Sequence, residues 1–335
     1  MPKRSSPPSA HDVARTAGVS QAAVSRAFTP GASIAAATRD KVFEAAKTLG
    51  YRPNLLARSL IMGRSGIVGV VIGNPHYPFF LAALDALSTR LSTVDKHILV
   101  YTSEANTTAD AHVEGLLKYR VDAVLLMAVS LSPKMARQCR DEGIPIISFI
   151  RSARKLKGFA SVTGDNVGGG AKIAEHLLQQ GYRRLAVMAG LPDSTSSRER
   201  EAGFVDYLAA QGAPAPERAV GHFLREGALK AARSLLSQTP RPDAIFCAND
   251  DMALATIEIA RYEFGLAVGR ELGVAGFDDI AQAAWPSFDL TTYALPLDLM
   301  MEKTVEILLD ARGAERATHT IVAGDLKIRG STRRI

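Results

Sequence analysis

From position 66 onward, short apolar runs alternate with longer stretches in which apolar residues recur every three or four positions. The short runs predict buried strands, and the amphipathic spacing predicts helices. The predicted strands are 67–72, 98–101, 123–127, 145–149, 184–188, 244–247 and 272–275, and the predicted helices lie near 79–93, 108–119, 133–142, 166–180, 197–211, 226–237, 250–264 and 297–312. Strict alternation of strand and helix favours parallel sheets with helices on both faces. Because the strands are too many for one compact sheet, we expect two α/β subdomains that face a ligand-binding cleft at the carboxyl ends of their strands.

The first part of the chain has only helical patterns. In AHDVARTAGVSQAAVSR, residues 10–26, the apolar side of a first helix ends at Gly18, which is suited to a turn. Ser20 is placed to cap a second helix, which buries Val24. Two short helices joined by a glycine turn form the helix-turn-helix arrangement that lays its second helix in the major groove of DNA. An ordinary helical hairpin has the same pattern, so the stretch alone leaves that alternative open.

A third helix is predicted from about 36 to 49, where Val42, Phe43 and Leu49 lie at core spacing and Gly50 stops the helix. The next residues, YRPN, break the pattern before a short apolar stretch at 55–62. A helix of this length is unstable alone in water, so we expect it to need a partner helix or DNA and to act as a hinge.

Net charge is distributed unevenly along the 335 residues, a length that suits about two or three domains. Residues 1–64 hold ten Lys and Arg against three Asp and Glu, a net charge of +7, whereas the rest holds 30 against 31. The excess positive charge therefore lies beside the helix-turn-helix candidate, which favours a polyanion as its partner.

Other features of the composition exclude several classes of protein. No apolar run is long enough to span a bilayer, and the start of the chain lacks the apolar core of a secretory signal, so we expect a cytoplasmic protein without a membrane partner. Cys139 and Cys247 are far apart and have no neighbours at metal-ligand spacing, which predicts buried free thiols. We expect neither a metal site nor a cofactor.

Two other functions fit an α/β core of this kind. A sugar-modifying or nucleotide-dependent enzyme needs a catalytic or phosphate-binding motif, and we find no P-loop, no GxGxxG after a strand, no GxSxG and no HExxH. Residues 168–170 are three glycines but lack the spacing of a phosphate loop. A solute-binding transport protein needs a signal peptide and does not need a basic headpiece. We therefore predict that the chain is not an enzyme.

Motifs follow one another along nearly the whole chain: DVARTAGVSQAAVSRAF, TRDKVFEAAKTLGYRPNLLARSL, IVGVVIGNPHYPFF, DNVGGG, RERxxGF, FCANDDMALA and GVAGFDDI. In this order they resemble the LacI/GalR family of bacterial transcription repressors. The resemblance implies an N-terminal three-helix helix-turn-helix headpiece plus a hinge helix, then a periplasmic-binding-protein-like core of two α/β subdomains. It divides the chain into a disordered tail (1–9), the headpiece (10–52), the hinge helix and linker (53–65) and the core (66–335). The N-terminal subdomain takes about 66–164 and 296–323, and the C-terminal subdomain about 165–295 and 324–335.

The resemblance also implies which residues meet DNA. Gln21, Ala22 and Arg26 match the side chains of the recognition helix that reach base edges, and such residues can read adenine, thymine and guanine in that order. The positions that match phosphate contacts, which set register, are Ser20, Ser25, Thr38 and Asn54. Leu60 matches the hinge leucine that is wedged into the minor groove. Exposed Gln and Arg side chains also occur merely as solubilising groups. The implied partner is a pseudo-palindromic double-stranded operator bound by a homodimer.

A second set of residues matches family positions that contact a small-molecule effector. These are Arg200, Asn249, Asp250 and Asp278, whose mixed donors and acceptors suit a polyol or a sugar acid. Asn74 follows the first core strand, and Phe79, Phe80 and Phe223 supply either apolar walls or core packing. Asn249 and Asp250 before a helix also form an ordinary capping pair. Ile150 replaces the Asn or Asp that relatives often have there, so the pocket lacks one polar group used on sugars.

Overall fold

The computed structural model describes residues 8–29, 31–52, 65–103, 108–153, 159–310 and 318–333. The chain separates into two compact units, Met1–Ser65 and Gly66–Ile335. Part of the predicted tail and most of the predicted hinge, with Asn54 and Leu60, lie outside the described residues. None of the described helices is long and apolar enough to cross a membrane.

The first unit contains the three predicted helices, α1 (Ala10–Ala17), α2 (Gln21–Ala27) and α3 (Ala36–Leu49). α1 begins with a capping box, since the Ser9 hydroxyl accepts from the Asp12 amide while the Asp12 carboxylate accepts from the Ser9 amide. α1 ends at Gly18, whose φ of 65° is the left-handed conformation that glycine adopts without strain. At the start of α2 the Ser20 hydroxyl accepts from the Ala23 amide at 3.2 Å, as the cap prediction requires.

These helices share one small core, in which Val13, Val24 and Val42 are almost fully buried among small alanines. Phe43, predicted to be in that core, is 43% exposed and lies on Phe28 with ring centroids 5.1 Å apart. The physical reason is helical phase. Position 43 lies beside the row that includes Val42 and Ala46, so its side chain does not point directly into the core.

The second unit alternates strands and helices. In chain order it starts with β1 (Ile67–Gly73), α4 (Pro78–Ser92), β2 (His97–Ser103), α5 (Asp110–Leu117), β3 (Ala123–Met127), α6 (Pro133–Asp141), β4 (Ile146–Phe149) and β5 (Ala160–Gly164). It continues with α7 (Asn166–Gln179), β6 (Leu185–Ala189), α8 (Thr195–Ala210), β7 (Glu217–Val220), α9 (Arg225–Leu236), β8 (Ala244–Cys247), α10 (Asp250–Tyr262), β9 (Gly273–Asp278) and β10 (Thr291–Ala294). It ends with α11 (Leu297–Leu309), β11 (His319–Val322) and β12 (Asp325–Lys327).

The strands form two six-stranded sheets, ordered β11-β5-β4-β3-β1-β2 and β12-β10-β9-β8-β6-β7. All pairings are parallel except that of β12 with β10. The chain passes between the sheets three times, after β5, after β10 and between β11 and β12. The predicted architecture, a helical headpiece followed by two parallel α/β subdomains, is thereby confirmed.

All seven predicted strands and all eight predicted core helices are present, 123–127 and 244–247 with the predicted bounds and the others with shifted ends. Five strands, β5, β7, β10, β11 and β12, were not predicted. They have three to five residues each and carry polar residues among the apolar ones, so none shows a distinct apolar run. Cys139 and Cys247 are free and buried, as predicted.

Candidate functional site

A cleft between the two subdomains lies where strands of both sheets reach their carboxyl ends. Eight of the nine predicted effector residues line it: Asn74, Phe79, Phe80, Ile150, Arg200, Phe223, Asn249 and Asp278. The other cleft residues include several that the sequence analysis did not single out, among them Tyr77, Arg151, Leu191, Ser194, Ser196 and His222. The volume of this cleft is only about 50 Å³, which is small for a sugar-sized ligand.

A buried ion pair forms the polar floor of the cleft. Arg200 on α8 and Asp278 at the end of β9 are 2% and 6% exposed, and Nη2 of the arginine lies 2.9 Å from Oδ1 of the aspartate. Arg200 also donates through Nε to Asn166 Oδ1 at 2.9 Å and through Nη1 to the Ala248 carbonyl at 2.6 Å. Its guanidinium covers the Phe277 ring at 3.8 Å. Because three of its nitrogens are engaged, Arg200 is held in one orientation and is poorly placed to bind a ligand carboxylate.

Glycines in two helices allow this arrangement. A methyl group on Gly170 of α7 would overlap the Arg200 carbonyl, and one on Gly203 of α8 would overlap the Val167 carbonyl. The two helices therefore contact each other backbone to backbone, which fixes the depth of Arg200 under the cleft. Of the three glycines at 168–170, the last takes part in this packing, the second lies against the Phe277 and Tyr293 rings, and the first donates its amide to the Asp165 side chain that caps α7.

Tyr77 connects the two subdomains across the cleft. Its phenol donates to Asp278 Oδ2 at 2.6 Å, and both residues are buried. Burial and the negative charge of Asp278 raise the pKa of the phenol well above its ordinary value, so Tyr77 acts as a donor. Sequence reasoning missed this residue. The available signal was its place directly before Pro78, at the start of the helix that follows β1.

Two further hydrogen bonds join the two subdomains, the first in the cleft and the second between residues that line a neighbouring cavity. Asn74 donates through Nδ2 to the Phe223 carbonyl at 3.3 Å, and the Ser152 amide donates to Thr195 Oγ1 at 2.9 Å. Together with the bond from Tyr77, they join the amino-terminal and carboxyl-terminal halves of the cleft. The structure thus describes the core with its cleft closed on its own side chains.

Asp250 lies behind the cleft rather than on its wall. It is fully buried, and its carboxylate accepts from the Ile280 amide at 2.8 Å and from Thr292 Oγ1 at 2.5 Å. Burial, reinforced by the negative charge of Asp278, raises the pKa of Asp250 well above its ordinary value. Asn249 does line the cleft, but its Oδ1 also accepts from the Met252 amide at 3.1 Å as the cap of α10.

Backbone strain is concentrated around the same cleft. Asn74, Ile150, Phe223 and Asp278 all have positive φ values, 57°, 74°, 58° and 109°. For Ile150 the conformation is rare because its β-branched side chain crowds the backbone. Non-glycine residues in such regions cost about 1–3 kcal/mol each and cluster at ligand sites. Ile150, the apolar residue predicted to line the cleft, is therefore also strained. Its amide donates to the Val162 carbonyl at 2.9 Å.

The first unit presents a polar helix face of its own. Gln21, Ala22, Ser25 and Arg26 are exposed on α2, whereas Val24 is buried. Arg26 donates weakly through Nε to the Ala22 carbonyl at 3.4 Å, and the residue as a whole is exposed. Of the predicted phosphate contacts, Ser20 and Ser25 are exposed and Thr38 is half-buried.

Comparisons with known proteins identify both units. Residues 9–54 match the family model of bacterial regulatory proteins, lacI family, and residues 174–332 match that of a periplasmic binding protein-like domain. The transcriptional regulator GalS of Salmonella typhimurium is 31% identical over 303 residues, which cover 89% of this chain and 88% of GalS. The chain belongs to the LacI family of bacterial transcription regulators.

Solved structures of other family members agree with this LacI-family regulator in fold. A crystal structure of the lac repressor dimer bound to operator and an anti-inducer has a TM-score of 0.87 and 26% identity, and covers 98% of this chain and 99% of its own. A complex of the transcriptional regulator CelR with cellobiose has a TM-score of 0.71 and 27% identity, over 97% and 99%. Because the curated relatives are transcription regulators, the chain is a DNA-binding regulator and not an enzyme.

Proposed function

We propose that this LacI-family regulator is a repressor that binds a pseudo-palindromic operator as a homodimer in the cytoplasm and responds to a small polar effector in the cleft. The observation that carries the proposal is the combination, in one chain, of an exposed polar face on α2 within a segment of net charge +7 and a closed cleft floored by Arg200 and Asp278. A two-fold dimer presents two recognition helices to two half-sites, which accounts for a palindromic operator. The related lac repressor is a dimer on its operator.

In this proposal α2 reads the operator. Gln21 bonds adenine, Arg26 bonds guanine and Ala22 contacts a thymine methyl, which are the pairings that side chains of these lengths favour. Ser20, Ser25, Thr38 and Asn54 contact phosphates and fix the register. Leu60 is the minor-groove wedge of the hinge, which bends the operator at its centre.

The effector is a sugar or a sugar acid. Polar groups of Asn249 and Asp278 face apolar walls from Phe79 and Phe223, a combination that suits one apolar and one hydroxylated face of a ligand. The related CelR binds cellobiose, a sugar. An effector that binds better to one state of the cleft shifts the population of that state, and the dimer transmits this shift to the hinge and the operator.

The operator readers can be tested with matched substitutions. We expect Arg26→Lys and Gln21→Ala to weaken binding to a selected palindromic operator by about 5- to 150-fold each, since a bidentate base contact contributes about 1–3 kcal/mol. Binding to random DNA should change little, because Arg26→Lys keeps the charge. Gel shifts on both DNAs, with and without candidate sugars, measure the ratio of operator affinity to random-DNA affinity. A wild-type protein with no preference for any palindromic site would overturn the proposal.

Tyr77→Phe tests the closed cleft. Because the variant loses only a hydrogen bond to a charged acceptor, worth about 1.5–3 kcal/mol, we expect the equilibrium to shift toward the open cleft by roughly 10- to 150-fold. Small-angle scattering of the ligand-free protein should show a larger radius of gyration. Tyr119→Phe, at an exposed position, is the control and should leave the radius unchanged. Equal radii for wild type and Tyr77→Phe would contradict this role of Tyr77.

A further inference from the structure

A second cavity adjoins the effector cleft and shares Arg151 with it. Its volume is about 500 Å³, large enough for a sugar-sized group, whereas the closed cleft encloses about 50 Å³. Its walls come from both subdomains. Ser130 and Arg151 follow β3 and β4, while Asp193, Thr195 and Arg198 lie at the start of α8.

Two arginines face this cavity from opposite subdomains without a carboxylate partner in the described part of the chain. Arg151 donates through Nη1 to Ser130 Oγ at 3.1 Å, and Arg198 donates through Nη1 to the Pro192 carbonyl at 2.7 Å. Neither guanidinium forms an ion pair with a described Asp or Glu within 4 Å. Arg200, by contrast, is paired with Asp278 and cannot take this role.

The acidic residues of the cavity do not neutralise these arginines directly. Glu199 accepts from Asn166 Nδ2 at 2.8 Å, so its carboxylate is occupied on the side of Arg200. Asp193 is exposed and beyond ion-pair distance of both guanidinium groups, although its charge is close enough to favour the protonated Arg151.

The environment of Arg151 also penalises its positive charge. Burial, together with the positive charge of Arg198, lowers the pKa of Arg151 to about 10. An anion bound between the two arginines would relieve both effects. The start of α8 adds to the positive electrostatic potential of the cavity. The hydroxyl of its cap residue, Ser194, bonds to the Ser196 hydroxyl at 2.8 Å and not to a backbone amide, so the positive end of the helix lacks a side-chain cap.

We propose that the second cavity binds the anionic group, a carboxylate or a phosphate, of a polyhydroxy effector between Arg151 and Arg198. The inference rests on the proposed function and narrows it to acidic or phosphorylated sugars. Because the two arginines belong to different subdomains, the bound anion links the subdomains and favours the state in which both arginines reach it. The ligand's charged end lies in the second cavity and its uncharged part extends past Arg151 toward the effector cleft.

Inorganic phosphate is the probe, since it carries the recognised group whatever the sugar. The full-length protein is melted with and without phosphate at constant ionic strength, with chloride as the reference anion. We expect phosphate to raise the melting temperature, because a ligand that binds the folded state stabilises it. Arg151→Gln and Arg198→Gln should each weaken phosphate binding about tenfold or more, as expected for the loss of charged hydrogen bonds. Arg137→Gln, an exposed arginine on α6, is the matched control and should keep the wild-type response.

The double variant tests the bridge. If one anion contacts both arginines, Arg151→Gln combined with Arg198→Gln loses less than the sum of the two single losses in binding free energy. Additive losses, equal responses in all variants, or no response in the wild type would overturn the second cavity as an anion site. Gel shifts on the same samples separate this failure from failure of the proposed function. Operator-specific binding that responds to a neutral sugar keeps the repressor proposal while the anion site is rejected.

Discussion

Replacing Asp278 with Ala is expected to destabilise the core by about 3–5 kcal/mol, the cost of leaving one member of a buried ion pair without its partner. Arg200, which is only 2% exposed, would keep only neutral acceptors, Asn166 Oδ1 and the Ala248 carbonyl. The Tyr77 phenol would lose its acceptor as well. Urea unfolding followed by circular dichroism gives the change in unfolding free energy.

An exposed ion pair in the same unit provides the control. Asp298 lies 3.0 Å from Arg90, and its side chain is 91% exposed, so Asp298→Ala should cost less than about 1 kcal/mol. We also expect the double variant Arg200→Met with Asp278→Asn to be more stable than Asp278→Ala, because it removes the unpaired charge. Similar losses of unfolding free energy for Asp278→Ala and Asp298→Ala would show that the buried pair contributes no more to stability than the exposed pair.

Gly203→Ala is expected to destabilise the core by roughly 3 kcal/mol or more, although alanine is the better helix former. The added methyl group would overlap the carbonyl oxygen, carbonyl carbon and Cα of Val167, which are backbone atoms of α7 and cannot rotate away. α8 would have to move outward and carry Arg200 with it. The variant should therefore lose stability and effector response together, as measured by urea unfolding and by the ligand dependence of a gel shift.

Gly115→Ala on α5 is the matched helix glycine. Its methyl group would meet only the hydroxyl end of Tyr101, at 3.2 Å, and that side chain can rotate. We expect no loss, or a gain of up to about 1 kcal/mol from helix propensity. If Gly203→Ala were as stable as Gly115→Ala, the close approach of α7 and α8 would not set the position of Arg200.

Some residues of the cleft could be predicted from the sequence, and others could not. Asn74 was predicted to line it because strand ends of parallel sheets gather at one edge, and Ile150 because of the family resemblance; both residues do line it. Tyr77 was not predicted, since its partner Asp278 is 201 positions away and no local pattern connects them. Asp250, by contrast, was predicted to contact the effector but does not line the cleft. Its motif suggested a ligand contact, but the packing of β10 turned its carboxylate toward Thr292.

The sequence by itself determined the fold class, the order of seven strands and of the predicted helices, the split between a basic headpiece and a neutral core, and the resemblance to the family. The elements and the charge distribution depend on local periodicity, capping residues and composition, which can be read along the chain, whereas the family was indicated by the resemblance of its ordered motifs. Only the tertiary structure decided that Arg200 is already paired, that Tyr77 closes the cleft and that Arg151 and Arg198 face one cavity. Such contacts depend on how helices and sheets approach one another, and in this core that approach is set at a few glycines and strained strand ends.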